Sequence, residues 1–236
     1  MRERLADYRL FFREFRRTFQ STGAVLPSGR GLSRAMASRV RTREGTQRIL
    51  EIGPGTGPVT NQIVAGMGPA DRLDLVELNQ RFVEVLRDRL QRDEHWRQAG
   101  ERIRVLQMPV EQLDHDVKYD VIVSGLPLNN FSCELVEQIL AQIHRLAKPG
   151  AMLSFFEYVA IRKAKSLFSK PAERRRLAGI EQILSREFSQ WQIDRQCVLV
   201  NVPPAWVHHL QLPGQEGPTS QPVPVEQQTH APVASG

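Results

Sequence analysis

Glu51-Ile52-Gly53-Pro54-Gly55-Thr56-Gly57 is the most informative segment of the chain, because three glycines alternate within seven residues. The apolar run before it, Arg48–Ile52, predicts a buried strand, and the amphipathic pattern after it predicts a helix over Thr56–Gly66. Glycine adopts positive φ easily and leaves no Cβ in the way of a ligand. This turn therefore indicates a cofactor site, with Gly53, Gly55 and Gly57 among its binding residues.

Around this turn, short apolar runs alternate with amphipathic segments, as in a sheet wrapped by helices. We predict a doubly wound α/β fold with a mostly parallel seven-stranded sheet and a C-terminal antiparallel hairpin. The predicted strands before the hairpin are Arg48–Ile52, Leu73–Glu77, Ile103–Gln107, Tyr119–Ser124 and Met152–Tyr158. The predicted helices are Thr56–Gly66, Gln80–Gln91, Cys133–Ala147 and about Ala172–Glu187, with Lys148-Pro149-Gly150 as the turn that ends the third.

Residues on either side of the sheet region have a different character. We divide the chain into an amphipathic helix at 1–20, a loop and helix at 21–46, the sheet domain at 47–212 and a tail at 213–236. Ser28 or Ser33 is the predicted cap of the helix that ends near Val40. The hairpin is predicted from Ile193–Val202 and Trp206–Leu212, which flank Pro203-Pro204. The tail is rich in Pro, Gln, Gly, Ser and Thr, so we expect it to be disordered.

Composition restricts the class of protein. The chain has 236 residues, a net charge of +6 and two cysteines, Cys133 and Cys197, so the sequence predicts neither a zinc site nor a disulfide framework. We expect that the protein binds no metal and that it resides in the reducing cytoplasm. No run of 18 apolar residues is present, which argues against a membrane span. The positive charge favours an anionic partner, either nucleic acid or an acidic lipid leaflet.

A carboxylate stands at the second position where this topology meets a cofactor. Glu77 ends the second predicted strand about 20 residues after the turn, where an acidic side chain contacts ribose hydroxyls. Glu51 at the start of the turn, Pro54 within it and a helix start without a pyrophosphate-gripping pattern favour S-adenosylmethionine over a nicotinamide. A P-loop lysine is also missing.

The turn and Glu77 together resemble the first two motifs of class I S-adenosylmethionine-dependent methyltransferases, over residues 47–158. The resemblance implies that Glu51 and Gly53 lie near the methionine part of the cofactor and that Glu77 binds its ribose. The alternative is an ordinary tight turn on an α/β domain. That family usually has an Asp after the third strand to bind the adenine amine. Here Pro109 is near that point, and either Glu111 or backbone groups replace the Asp.

The segment Ser124-Gly125-Leu126-Pro127-Leu128-Asn129-Asn130-Phe131 follows the fourth predicted strand, where open α/β sheets bind ligands. Carbonyl oxygens of this loop and the amide oxygen of Asn129 or Asn130 can accept hydrogen bonds from an amine. We therefore predict a nitrogen acceptor, with Leu126, Pro127, Asn129 and Tyr158 as catalytic candidates and Ser124 with the cofactor-binding residues. The candidates for taking the amine proton are Tyr158, Glu157, His208 and His209.

This loop resembles the Asn/Ser-x-Leu-Pro segment of amino methyltransferases. Together with Thr22-Gly23-Ala24-Val25-Leu26-Pro27-Ser28 and Asn201-Val202-Pro203-Pro204-Ala205, it resembles the bacterial phospholipid N-methyltransferases, including the related ornithine lipid enzymes, over roughly residues 10–212. The resemblance implies successive methylation of the amine of a membrane aminolipid, phosphatidylethanolamine or ornithine lipid. Asn129-Asn130 departs from the residues expected for phosphatidylethanolamine.

Two other functions compete with lipid methylation. The first is methylation of rRNA like that of the adenine N6-dimethyltransferases. It is disfavoured because no helical C-terminal domain follows the sheet and because Leu128 replaces the aromatic residue that stacks a target base. The second is a non-enzymatic basic membrane-binding module, which the intact glycine turn and Glu77 argue against. Nucleic acid is therefore not the expected partner.

Residues 2–19 combine aromatic and basic side chains on opposite faces of a predicted helix. This pattern is typical of a helix that lies in a membrane interface, although the aromatic face could instead pack on the sheet domain. We expect peripheral association with the inner face of the cytoplasmic membrane. The residues predicted to contact the membrane or substrate are Arg9, Phe12, Arg13, Phe15, Arg16 and Ser28. A second basic cluster, within 162–176, binds phosphate or is simply solvated.

Overall fold

The computed structural model describes residues 29–40, 45–158, 171–201 and 203–213. The predictions for the helix at 1–20, for Ser28 and for the tail beyond residue 213 lie outside these ranges, as does most of the second basic cluster. Among the described residues, no helix has the length and apolar character needed to cross a bilayer.

The described part of the chain contains six α-helices and seven strands. The helices are α1 (Arg30–Met36), α2 (Pro58–Gly66), α3 (Gln80–Arg92), α4 (Glu94–Ala99), α5 (Cys133–Leu146) and α6 (Pro171–Trp191). The strands are β1 (Arg48–Ile52), β2 (Arg72–Val76), β3 (Ile103–Leu106), β4 (Tyr119–Ser124), β5 (Ala147–Tyr158), β6 (Gln192–Val198) and β7 (Ala205–Leu212).

The seven strands form one sheet in the order β3-β2-β1-β4-β5-β7-β6. Strands β1 to β5 are parallel, whereas β7 is antiparallel to both β5 and β6. The predicted fold, including the C-terminal hairpin, is confirmed. Strand order reverses between β1 and β4, and a crevice at such a switch point is where open α/β sheets bind their ligands.

Apolar side chains fill both faces of the sheet. One core cluster joins the strands to α5 and α6 through residues such as Ile143 and Ile180, and the other joins them to α1 and α2 through residues such as Met36 and Ile63. Burial on both faces explains why the central strands are nearly continuous apolar runs rather than alternating ones. The site at their carboxyl ends therefore stands on a rigid base.

The turn predicted at Lys148-Pro149-Gly150 is wrong. Helix α5 ends at Leu146, and these three residues belong to β5, in which Ala147 pairs with Tyr119 and Met152 pairs with Val121. Five steps along β5 therefore match two along β4, so the three residues bulge out of the ladder. Proline and a glycine with φ of +71° are tolerated in a strand at such a bulge.

Two helices differ from the sequence prediction. Helix α1 begins after Gly29, which makes no side-chain capping bond, and Ser33 lies within the helix rather than at its start. Helix α4 was not predicted, because it is short and mostly polar. Its local signal is Asp93, whose carboxylate accepts hydrogen bonds from the backbone N–H groups of His95 and Trp96.

Candidate active site

The glycines of the turn after β1 have different surroundings, although all three have positive φ. A Cβ on Gly53 (φ +69°) would lie 2.8 Å from Cδ2 of Leu126. A Cβ on Gly55 (φ +59°) would have no atom within 4 Å. Gly53 is thus a point of close packing, and Gly55 faces open space in which a ligand can approach the backbone.

Glu77 lies beside this open space. Its side chain is 2% exposed; Oε2 accepts a hydrogen bond from the Gly55 N–H at 3.1 Å, and Oε1 accepts one from the Asn79 N–H at 2.8 Å. Burial raises the pKa of this carboxyl, while the backbone hydrogen bonds oppose the rise. Each carboxylate oxygen has a second lone pair, so the group can still accept a bond from a ribose hydroxyl.

Glu51 lies deeper, at 1% exposure, and accepts a hydrogen bond from the Thr60 hydroxyl at 2.7 Å. Burial raises the pKa of Glu51 to about 8; the Thr60 bond opposes the rise, and the nearby Glu77 charge adds to it. Glu51 is therefore mostly protonated at neutral pH. It joins the end of β1 to helix α2, directly below the glycine turn.

Gly57 contacts the helical side of the turn. A Cβ there would lie 2.9 Å from Cη2 of Trp96, and the carbonyl oxygens of Thr56 and Gly57 accept hydrogen bonds from Arg89 at 3.1 and 3.2 Å. Arg89 and Trp96 are separated from the turn by some thirty residues or more, and no local pattern identifies them. They hold the turn in place from outside.

The loop after β4 packs directly on the glycine turn. The Gly125 N–H donates to the Ile52 carbonyl at 2.8 Å, and a Cβ on Gly125 would lie 2.6 Å from the carbonyl oxygen of Gly53. Gly125 was not predicted as a site residue. Its position immediately after a predicted strand is the one feature of the sequence that could have indicated it. This contact brings the glycine turn together with the acceptor loop, residues 124–131.

Most hydrogen-bond acceptors of this loop are used internally. The Leu126 carbonyl accepts from the Leu128 N–H at 3.0 Å, and the Pro127 carbonyl accepts from the Asn130 N–H at 2.9 Å. Asn129 differs, because its side-chain Oδ1 is buried and has no hydrogen-bond partner within the described chain. A buried amide oxygen without a partner is costly unless a ligand supplies the donor.

The side chains of Ser124, Leu126 and Leu128 are buried. The Ser124 hydroxyl is 3.5 Å from the Leu126 N–H, and both leucines belong to the core cluster on the α5 and α6 face. Leu126 reaches the cofactor turn through its contact with Gly53. Leu128 instead anchors the loop to the core.

Arg176 on helix α6 fixes the backbone of the loop. Its guanidinium donates to the carbonyl oxygen of Asn129 at 3.1 Å and to that of Phe131. Glu173, one turn earlier, accepts two hydrogen bonds from the same guanidinium at 2.9 and 2.6 Å. Arg176 was predicted only as part of a basic cluster, yet its contacts hold the acceptor loop.

Glu111 lies in a single 3-10 turn, Val110–Gln112, after β3. Its Oε2 is buried and has no hydrogen-bond partner in the part of the chain that the structure describes. Glu111 thus has an oxygen that can accept a hydrogen bond from a bound group.

The four candidates for taking a proton have different surroundings. Tyr158 ends β5 at the carboxyl edge of the sheet, and burial raises its pKa, so its phenol is neutral at physiological pH. Glu157 and His208 pair with each other at 3.2 Å. His209 contacts the Ser154 hydroxyl at 2.8 Å, and burial lowers its pKa to about 4.

The residues predicted to contact the membrane or substrate, Arg9, Phe12, Arg13, Phe15, Arg16 and Ser28, lie outside the described residues.

Sheet order, glycine turn and carboxylate after β2 together define the class I methyltransferase fold. Residues 49–150 match the protein-family model described as a methyltransferase domain. The chain therefore contains a class I S-adenosylmethionine-dependent methyltransferase domain, and S-adenosylmethionine is its cofactor.

The chain is similar to proteins with different acceptors. It is 26% identical over 146 residues to an ornithine lipid N-methyltransferase from Singulisphaera acidiphila, an alignment that covers 62% of this chain and 75% of that protein. It is 30% identical to ribosomal RNA small subunit methyltransferase A from Parasynechococcus marenigrum, covering 44% of this chain and 32% of that protein. A Bacillus cereus O-methyltransferase structure matches with a TM-score of 0.57 at 14% identity, covering 85% and 90% of the two chains, and shows the shared fold.

The site fits S-adenosylmethionine in three respects. The open space at Gly55 lets the cofactor approach the protein backbone, and Glu77 presents carboxylate oxygens beside that space. The buried Oε2 of Glu111, which has no hydrogen-bond partner among the described residues, can accept a hydrogen bond from the adenine amine. Bound there, the cofactor supplies an electrophilic methyl group.

Proposed function

We propose that this enzyme methylates the primary amine of a membrane aminolipid headgroup, phosphatidylethanolamine or ornithine lipid, in successive rounds. The carrying observation is the buried Oδ1 of Asn129, which lacks a partner among the described residues and belongs to the loop packed on Gly53. The similarity to the Singulisphaera ornithine lipid enzyme supports a lipid acceptor.

The chain's own residues position the amine. Oδ1 of Asn129 accepts a hydrogen bond from the amine N–H, which orients the nitrogen lone pair towards the glycine turn. The buried Leu126 closes the space between the two loops and excludes water. A lone pair remains after each of the first two methylations. The hydrogen bond to Asn129 serves the first two transfers, in which the neutral amine still has an N–H, whereas the tertiary amine enters the third transfer without it.

Proton loss precedes each transfer, because an alkylammonium has no lone pair. We assign the proton to water rather than to a strong base, since the Tyr158 phenol is held neutral and His209 is engaged with Ser154. Tyr158 remains suited to a hydrogen bond with the headgroup. We propose that the reaction takes place at the inner face of the cytoplasmic membrane.

RNA fits the loop less well. Base methyltransferases stack a flipped base on an aromatic ring, whereas Leu128 is buried in the core and offers the acceptor no such surface. Because one relative is an rRNA methyltransferase, methylation of ribosomal RNA is the alternative function that the test below includes.

The test is methyl transfer from radiolabelled S-adenosylmethionine to vesicles containing phosphatidylethanolamine, to vesicles containing ornithine lipid and to ribosomal RNA. We expect label in one of the aminolipids and none in RNA. Asn129→Leu should lower kcat on the lipid by a factor on the order of 10² while cofactor affinity is unchanged. Asn130→Leu is the matched control and should be active. Label in RNA alone would overturn the proposal.

A further inference from the structure

The turn that joins β6 to β7 lies at the same edge of the sheet as the active site. Strands β5 and β6 both run antiparallel to β7, so they run parallel to each other. Tyr158, which ends β5, pairs with Ala205, and Ala205 pairs with Val198, which ends β6. The residues that follow Val198 therefore project from the carboxyl edge, the edge at which the acceptor loop also lies.

Two apolar side chains stand at this point. Leu199 is 72% exposed and Val200 is 85% exposed, more than any other large apolar residue of the described chain. Adjacent aliphatic side chains as exposed as these, at the tip of a turn, contribute little to the core. Such a surface indicates an apolar environment outside the molecule.

Basic side chains flank the two apolar residues. The Gly29 N–H donates to Oδ1 of Asn201 at 3.0 Å, which holds the start of helix α1 against the turn. A Cβ on Gly31 would lie 3.1 Å from Cγ2 of Val200. On the solvent side of α1 stand two exposed arginines. These arginines, Arg30 and Arg34, form the hairpin tip together with Leu199 and Val200.

A groove separates α1 from the end of β6. It encloses about 520 Å³ and is lined by Arg34 and by the apolar run from Val198 to Val200, together with small residues of α1. An apolar surface with an arginine at its margin matches the boundary between acyl chains and headgroup phosphates.

We propose that the hairpin tip docks the enzyme on an anionic bilayer. Leu199 and Val200 enter the headgroup boundary, and Arg30 and Arg34 contact lipid phosphates. A bilayer fits this surface because the tip pairs an apolar point with positive charge and lies at the same edge of the sheet as the acceptor loop. Docking there turns the carboxyl edge of the sheet towards the membrane and brings a headgroup to Asn129. This inference rests on the proposed lipid acceptor.

The first test measures co-flotation of the full chain with phosphatidylethanolamine–phosphatidylglycerol vesicles. The double variant Leu199→Asp/Val200→Asp should bind on the order of tenfold more weakly than the wild type, because two charges replace the inserted side chains. Ile193→Asp is the control, since Ile193 is 53% exposed at the opposite end of β6. Equal binding by the double variant and the wild type would overturn the inference.

A charge variant tests the second half of the surface. Arg30→Glu/Arg34→Glu should lose binding to the anionic vesicles and should bind pure phosphatidylcholine vesicles as the wild type does. Loss of binding to both, or to neither, would contradict the assigned role of the arginines.

Activity on a monomeric substrate separates this inference from the proposed function. A short-chain phosphatidylethanolamine, below the concentration at which it forms micelles, needs no docking, so the Leu199→Asp/Val200→Asp variant should methylate it like the wild type. If the wild type methylates no lipid, but binds vesicles more strongly than the Leu199→Asp/Val200→Asp variant, the proposed function is wrong and the docking surface is supported. If the variant matches the wild type on vesicles as well, docking fails and the function stands.

Discussion

Gly53 is the residue on which the two halves of the active site meet. Its positive φ forms the turn, and its missing Cβ gives room to Leu126 from the acceptor loop. An added methyl group must therefore both strain the backbone, by about 1–2 kcal/mol, and displace a buried leucine.

We expect Gly53→Ala to weaken S-adenosylmethionine binding by a factor on the order of ten or more, because it shifts the turn and the loop together. Isothermal titration calorimetry measures this affinity. Gly45→Ala is the matched control, since Gly45 also has positive φ but a Cβ there would contact nothing. Equal cofactor affinity in the two variants would show that the close contact with Leu126 is unimportant.

Glu51 links folding to pH. Its pKa in the folded protein, about 8, lies above the ordinary value of 4.5, so the folded chain retains a proton that the unfolded chain has lost. The free energy of unfolding should therefore fall as pH rises from about 4.5 to 8, by at most ~1.4 kcal/mol per pH unit, and level off above.

Glu51→Gln removes this proton and keeps an oxygen for the Thr60 hydroxyl. Urea unfolding of the cofactor-free protein across this pH range should give a smaller loss of stability in the variant than in the wild type. Parallel pH profiles would mean that Glu51 is ionised in the folded protein.

At the level of the elements, helix α6 controls the acceptor loop. Arg176 is held by Glu173 on the same helix and donates to two carbonyl groups of the loop. The loop is thereby fixed by α6 as well as by its contacts with the glycine turn.

Arg176→Met should lower kcat for methyl transfer on the order of tenfold, because the loop loses two charge-assisted hydrogen bonds, while the dissociation constant of S-adenosylmethionine stays unchanged. Steady-state kinetics and calorimetry give the two quantities. Arg175→Met removes the same charge from the neighbouring, exposed position and should be active. A similar loss in both variants would indicate an effect of net charge rather than of loop position.

The elements also show where sequence patterns succeed and fail. Strands β1 and β4 have the predicted bounds, because apolar runs between turn residues leave little choice. Lys148-Pro149-Gly150 misled the prediction, since the same residues serve equally for a turn and for a bulge. Helix α4 was not predicted because it is short and mostly polar, and its one large apolar residue, Trp96, packs near the distant Gly57.

At the level of the whole molecule, Asn201 joins distant parts of the chain. Its Oδ1 accepts from the Gly29 N–H, 172 positions away in sequence, and its Nδ2 donates to the Pro203 carbonyl at 2.7 Å. The end of the hairpin thus holds the start of helix α1.

Asn201→Ala should lower the free energy of unfolding by about 1 kcal/mol, because the Gly29 N–H loses its acceptor. Asn201→Asp keeps that acceptor and should be less destabilised. Urea unfolding at neutral pH compares them. Identical midpoints for all three proteins would show that water replaces the Asn201 contact without loss.

The position of the site could be predicted from the sequence, but the hydrogen bonds and close contacts within it could not. The sequence identifies the glycine turn, Glu77 and the loop after β4 as neighbours, because parallel strands end at one edge. It cannot show that Oε2 of Glu111 and Oδ1 of Asn129 have no hydrogen-bond partner among the described residues, because this depends on every neighbouring element. For the same reason it does not reveal Gly125 as a point of backbone contact.

The position of β7 between β5 and β6 has a consequence for the newly made chain. Until residues 205–212 have left the ribosome, the backbone of β5 has no neighbour on that side, and its unpaired N–H and C=O groups are open to pairing with other nascent chains. The sheet therefore cannot be completed before residue 212 has left the ribosome, and in the interval before β7 arrives this edge is open to wrong pairing.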